Sequence, residues 1–63
     1  MINELDKVRL TTGERATIVE VFDENNFLAE IISKLSEIRV EDITRSDIKA
    51  KIIEIEQPLI QNV

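Results

Sequence analysis

The chain carries a single glycine, Gly13, and the sequence on both sides of it follows the period of a β-strand. Before it, Leu5-Asp6-Lys7-Val8-Arg9-Leu10 sets Val8 and Leu10 against Lys7 and Arg9, and the run ends at Thr11-Thr12-Gly13-Glu14. Successive side chains of a strand point to opposite faces, so this pattern buries one face and turns where a left-handed backbone costs least. After it, Ala16-Thr17-Ile18-Val19-Glu20-Val21-Phe22 is dense in β-branched residues, the pattern of a strand covered on both faces or strongly bent. Asp23-Glu24-Asn25-Asn26 reads as a polar turn, because Asn and Asp tolerate left-handed backbone and bond to their own main chain. The first half is therefore a hairpin.

The second half admits two readings. Phe27, Leu28, Ile31, Ile32, Leu35 and Ile38 fall at helical spacing, with Glu30, Ser33, Lys34 and Glu37 opposite and Asn25 or Asn26 available as a cap. The competing reading makes 27–32 a third strand, 33–36 a turn without glycine and 37–43 a fourth strand. Within that fourth strand Ile38, Val40 and Asp42 alternate against Arg39, Glu41 and Ile43, so either face carries a carboxylate inward unless the strand bends or ends near Asp42. Thr44-Arg45-Ser46-Asp47 follows as a polar turn with one helical turn in it, and strand character resumes over 49–56. Pro58 cannot donate to a ladder, which ends that strand by Gln57 and leaves 58–63 as an apolar-rich tail after a single domain over 1–57.

Composition narrows the chemistry. With 63 residues, no cysteine and no histidine, the chain has room for one core and lacks disulfides, thiolate nucleophiles, imidazole acids or bases, and zinc ligands other than carboxylates. Ser33, Ser36 and Ser46 have no histidine to activate them, and Lys49 and Lys51 no evident desolvated site, so a non-enzyme without a cofactor is expected. A calcium loop needs several oxygen ligands in a tight, usually glycine-containing run, and neither acidic cluster has that arrangement, so no metal is expected either. Thirteen acidic against eight basic residues give a net charge of −5, which repels nucleic-acid backbones and anionic membranes and draws basic partners. The start, Met1-Ile2-Asn3-Glu4, lacks the basic residues and apolar run of a secretory signal, and no apolar stretch reaches the length of a membrane span. A cytoplasmic location is the expectation.

The strand 5–10, then Gly13, then Ala16-Thr17-Ile18-Val19-Glu20-Val21-Phe22 resembles a family of short bacterial proteins of unknown function with an SH3-like small β-barrel. Phe27-Leu28-Ala29-Glu30-Ile31 looks like that family's third strand, and Asp42-Ile43-Thr44-Arg45-Ser46-Asp47-Ile48 like its closing segment. The resemblance covers residues 5–48. It departs where Ala16 replaces a usual glycine, where the preceding loop is shortened, and where the turn between the third and fourth strands has lost its glycine. It implies a mainly β fold, an SH3-like barrel of about five strands with a short helical turn near 44–48. The α+β alternative keeps a helix over 27–38.

Two acidic groups and the tail are the candidate contact residues: Glu20, Asp23 and Glu24 at one hairpin tip, Glu41 and Asp42 near another turn, and Leu59 and Ile60 beyond the proline. Adjacent aliphatics such as Ile18 with Val19 point to both sides of a strand, so either a tail or a second chain covers the outer side, or the barrel covers itself and leaves scattered aliphatics exposed. The leading reading is a protein-interaction module offering an acidic surface to a basic protein partner, a profile shared by immunity proteins, antitoxins and phage-encoded inhibitors of defence systems. A structural homo-oligomer is the alternative, and an SH3-like nucleic-acid binder ranks below both.

Overall fold

The computed structural model describes residues 1–53, which form one antiparallel sheet of five strands: β1 (Lys7–Leu10), β2 (Arg15–Asp23), β3 (Asn26–Ile32), β4 (Ile38–Thr44) and β5 (Ile48–Ile52). A lone 3-10 turn, Arg45–Asp47, precedes β5 and supplies the expected helical turn. The order across the sheet is β4-β3-β2-β1-β5, so the last strand returns to lie against the first. The edge strands β4 and β5 do not pair with each other, and the sheet is open where a closed barrel was expected. The tail, the strand continuation over 54–56, and the candidates Leu59 and Ile60 lie outside the described residues. Among the described residues no helix is long and apolar enough to cross a membrane.

The helix over 27–38 is overturned. Phe27, Ala29 and Ile31 are fully buried, which is period two, whereas Leu35 and Ile38 of the helical stripe are largely exposed. Flanking strands decide the matter: β3 pairs with β2 on one side and β4 on the other, so tertiary pairing overrides a local 3.6-residue period. The loop that replaces the helix is built by two serines. The Ser33 hydroxyl oxygen accepts the backbone N–H of Leu35 (3.2 Å) and of Glu37 (3.1 Å). Ser36 then takes the left-handed backbone, φ 66°, that a glycine would take more cheaply.

One face of the sheet carries the core: Val8, Leu10, Ala16, Ile18, Phe27, Ala29, Ile31 and Ile43, with Ile2, Val21 and Ile48 packed against it. The register explains the set, since Val8 opposes Ala16, Ile18 opposes Ala29, Ile31 opposes Ala16, and Phe27 lies between Val21 and Ile43. Small residues beside large ones let side chains from neighbouring strands interdigitate on this face. Of the two readings of β2, covered on both faces or strongly bent, its register shifts between Ile18 and Glu20 and between Val21 and Asp23 fit the second. Bulges of this kind raise local twist and curl a sheet.

One side chain of β4 reaches past β3 to the turn between β1 and β2. Arg39 of β4 donates from Nη1 and Nη2 to the two carboxylate oxygens of Glu14, both at 2.9 Å, across 25 residues of sequence. Its Nε donates to Glu41 on the same strand. The Arg39 bonds, assisted by the Thr12 hydroxyl, hold the Glu14 carboxyl down at about 2 from an ordinary 4.5. A carboxylate with a depressed folded-state pKa stabilises the fold fully above its unfolded value and loses that contribution as pH falls through the folded one. Thermal melts should therefore fall in midpoint between pH 4.5 and about 2, and Glu14→Gln should flatten that fall. Asp6 and Asp23, also held low, leave a residual slope in the variant. Equal slopes in both proteins would show that the ion pair contributes nothing.

Candidate protein-docking face

The face opposite the core is read from the same register. Glu20, Leu28 and Asp42 form one row across β2, β3 and β4; Thr17, Glu30 and Val40 form the next; Arg15, Ile32 and Ile38 the third. Lys7 and Arg9 extend the last two rows onto β1, opposite Thr17 and Arg15. Aliphatic side chains of Leu28, Ile32, Ile38 and Val40 thus lie together, with acids at one end and bases at the other. Beside the basic end runs a groove of about 520 Å³ lined by Lys7, Arg9, Arg15, Thr17, Ile32 and Lys34.

β4 is the informative strand. Its aliphatic pair faces solvent, Ile38 at 62% and Val40 at 57% exposure, while Arg39 and Glu41 share the core side with Ile43. Hydrophobic burial alone favours the reverse, because each buried aliphatic side chain is worth about 1.5–3 kcal/mol. Phe27 settles the phase: it opposes Ile43, and the unbroken β3–β4 register fixes every other residue of β4 from that pair. The inward charges are accommodated at the rim, where Arg39 spans Glu14 and Glu41.

The sequence-predicted acids are distributed by this geometry and not gathered. Glu20 and Asp42 flank Leu28 on the outer face. Glu41, adjacent in sequence to Asp42, is on the other face, engaged by Arg39. Asp23 is a turn residue: its Oδ1 accepts the Asn25 backbone N–H at 2.8 Å and the Asn26 side-chain amide at 2.9 Å, and these bonds lower its pKa. Glu24 is exposed at the same turn. Among the described residues no group of three or more acidic side chains is placed to hold a metal ion. Glu30 was missed by sequence reading, and its position between Thr17 and Val40 needed only the correct strand phase to be found.

Comparison with known protein families, curated proteins and solved structures finds no match to this chain.

Proposed function

We propose that the chain is a non-enzymatic protein-interaction module of the SH3-like small-barrel type, which docks a partner on the outer face of β3 and β4. The observation that carries this reading is the phase of β4, which presents Ile38 and Val40 to solvent beside Ile32 and Leu28. An apolar centre with a charged rim is the usual anatomy of a contact surface. Glu20, Glu30 and Asp42 supply an acidic rim suited to a basic partner, and they act mainly on encounter rate. The barrel part of the proposal draws on the meander whose last strand returns to β1 and on the reach of Arg39 past β3 to Glu14. Immunity proteins, antitoxins and inhibitors of defence systems are the classes with this profile.

The test is cross-linked recovery of bound protein from the source cells with the wild type, Val40→Asp and the double variant Glu20→Lys with Asp42→Lys. A specific partner retained by the wild type, lost with Val40→Asp and bound more slowly by the charge-reversed protein is the expected result. Equal recovery by all three, each shown folded by circular dichroism, would remove the docking face. A second reading, self-association, is favoured by a separate observation: the edge of β4 is long and regular.

A further inference from the structure

We infer that β4 is a self-pairing edge, joining a second copy of this chain antiparallel and in register about Val40 to give one continuous sheet. This rests on the self-association reading and supplies its surface. The backbone comes first. Ser33 N–H donates to the Glu37 carbonyl and Arg45 N–H to the Asn25 carbonyl, each at 2.9 Å, at the two ends of the β3–β4 ladder. Hydrogen-bonded and non-bonded pairs alternate in an antiparallel ladder. With the register between those ends unbroken, Arg39, Glu41 and Ile43 bond inward to β3, and Ile38, Val40 and Asp42 turn their N–H and C=O groups to the edge that no other described strand occupies. Thr44 turns outward as well, and its N–H is taken by Asp47 Oδ2 at 2.8 Å, which closes the edge at that end.

Side chains then select the register. A two-fold centred on Arg39 sets that cation against itself, and one centred on Glu41 does the same for a carboxylate and asks Thr44 for a group already engaged by Asp47. Centred on Val40, the pairing places Arg39 of each copy opposite Glu41 of the other on one face. On the other face Val40 meets Val40. Ile38 and Asp42 pair across the axis, so each outward backbone group finds a partner. Arg39 and Glu41 keep 43% and 49% of their side chains exposed, room enough for the added contact. Of the usual guards of an edge, β4 has no proline, no lysine and no register shift against β3, and its inward charges, Arg39 and Glu41, are the two that this register pairs across the axis. The other edge strand, β5, carries Lys49 and Lys51.

Sedimentation equilibrium of the full chain from about 10 µM to about 1 mM should show the mass doubling, as mass action requires. Amide exchange at Ile38, Val40 and Asp42 should slow about tenfold or more over the same range. Val40→Pro should abolish both effects and keep the β3–β4 ladder, since only an edge-facing N–H is lost. Glu41→Arg, which sets two guanidinium groups opposite each other, should weaken the dimer without touching the backbone. A monomer throughout would overturn self-association and this edge together. A dimer that survives both substitutions would leave self-association standing and remove the edge. Protection at Ile38 and Val40 that does not change with concentration would mean cover by the chain itself, and would overturn the inference.

Discussion

Phe27→Ala is expected to remove about half or more of this domain's stability at 25 °C. Phe27 is 1% exposed, and its cross-strand neighbours Val21 and Ile43 come from both adjoining strands, so its ring fills core space that β2, β3 and β4 share. Truncating a buried Phe to Ala costs about 3–5 kcal/mol, the sum of lost transfer energy and an unfilled cavity. At about 0.05–0.15 kcal/mol per residue, a chain of 63 residues has about 3–9 kcal/mol in all. No disulfide supplements that margin. Phe22 is the internal control: it is half exposed, and Phe22→Ala should shift stability by no more than about 0.5 kcal/mol. Urea denaturation followed by circular dichroism compares the two, and a Phe27→Ala protein within about 1 kcal/mol of wild type would mean that the sheet collapses around the gap.

The contrast between the two phenylalanines also marks what a single sequence discloses. Val8 and Leu10 were placed by alternation alone, because β1 keeps strict period two up to Gly13, whereas β2, with Ile18 beside Val19, was legible as a strand and not as a buried face. Phe22 lies beyond the bulge at Val19, and a bulge resets the phase without any signal in composition. β4 fails for a related reason. Its two faces carry Ile38 and Val40 against Ile43, and counting apolar residues selects the wrong one. Only the pairing of Phe27 with Ile43 decides, and pairing is non-local. The Arg39–Glu14 bridge is invisible for the same cause, its partners being 25 residues apart. The acidic candidates were legible as charges and not as roles: Asp23 holds its own turn, and Glu41 and Asp42 part to opposite faces as neighbours in any strand must.

Two substitutions that touch no core residue should move stability in opposite directions, since backbone handedness alone separates them. Gly13 has φ 94°, and a Cβ built there meets nothing within 4 Å, so Gly13→Ala adds left-handed strain of about 1–2 kcal/mol and no collision. The stiffer unfolded chain returns about 0.4–1 kcal/mol of that, for a net loss of about 1 kcal/mol. Ser36 is the mirror case, a residue with a Cβ held at φ 66° in the β3–β4 loop. Ser36→Gly removes the same strain and pays the same entropy, for a net gain of up to about 1 kcal/mol. The Ser33 hydroxyl bonds that shape the loop stay in place, because they run to Leu35 and Glu37 and not to the Ser36 side chain. Leu5, at φ 72° and largely exposed, should follow Ser36 in sign when changed to Gly. Urea midpoints at unchanged slope read all of these directly. If Ser36→Gly and Gly13→Ala shift the midpoint the same way, the left-handed geometry does not govern the loops, and the strand phases that the two turns set would have to come from elsewhere.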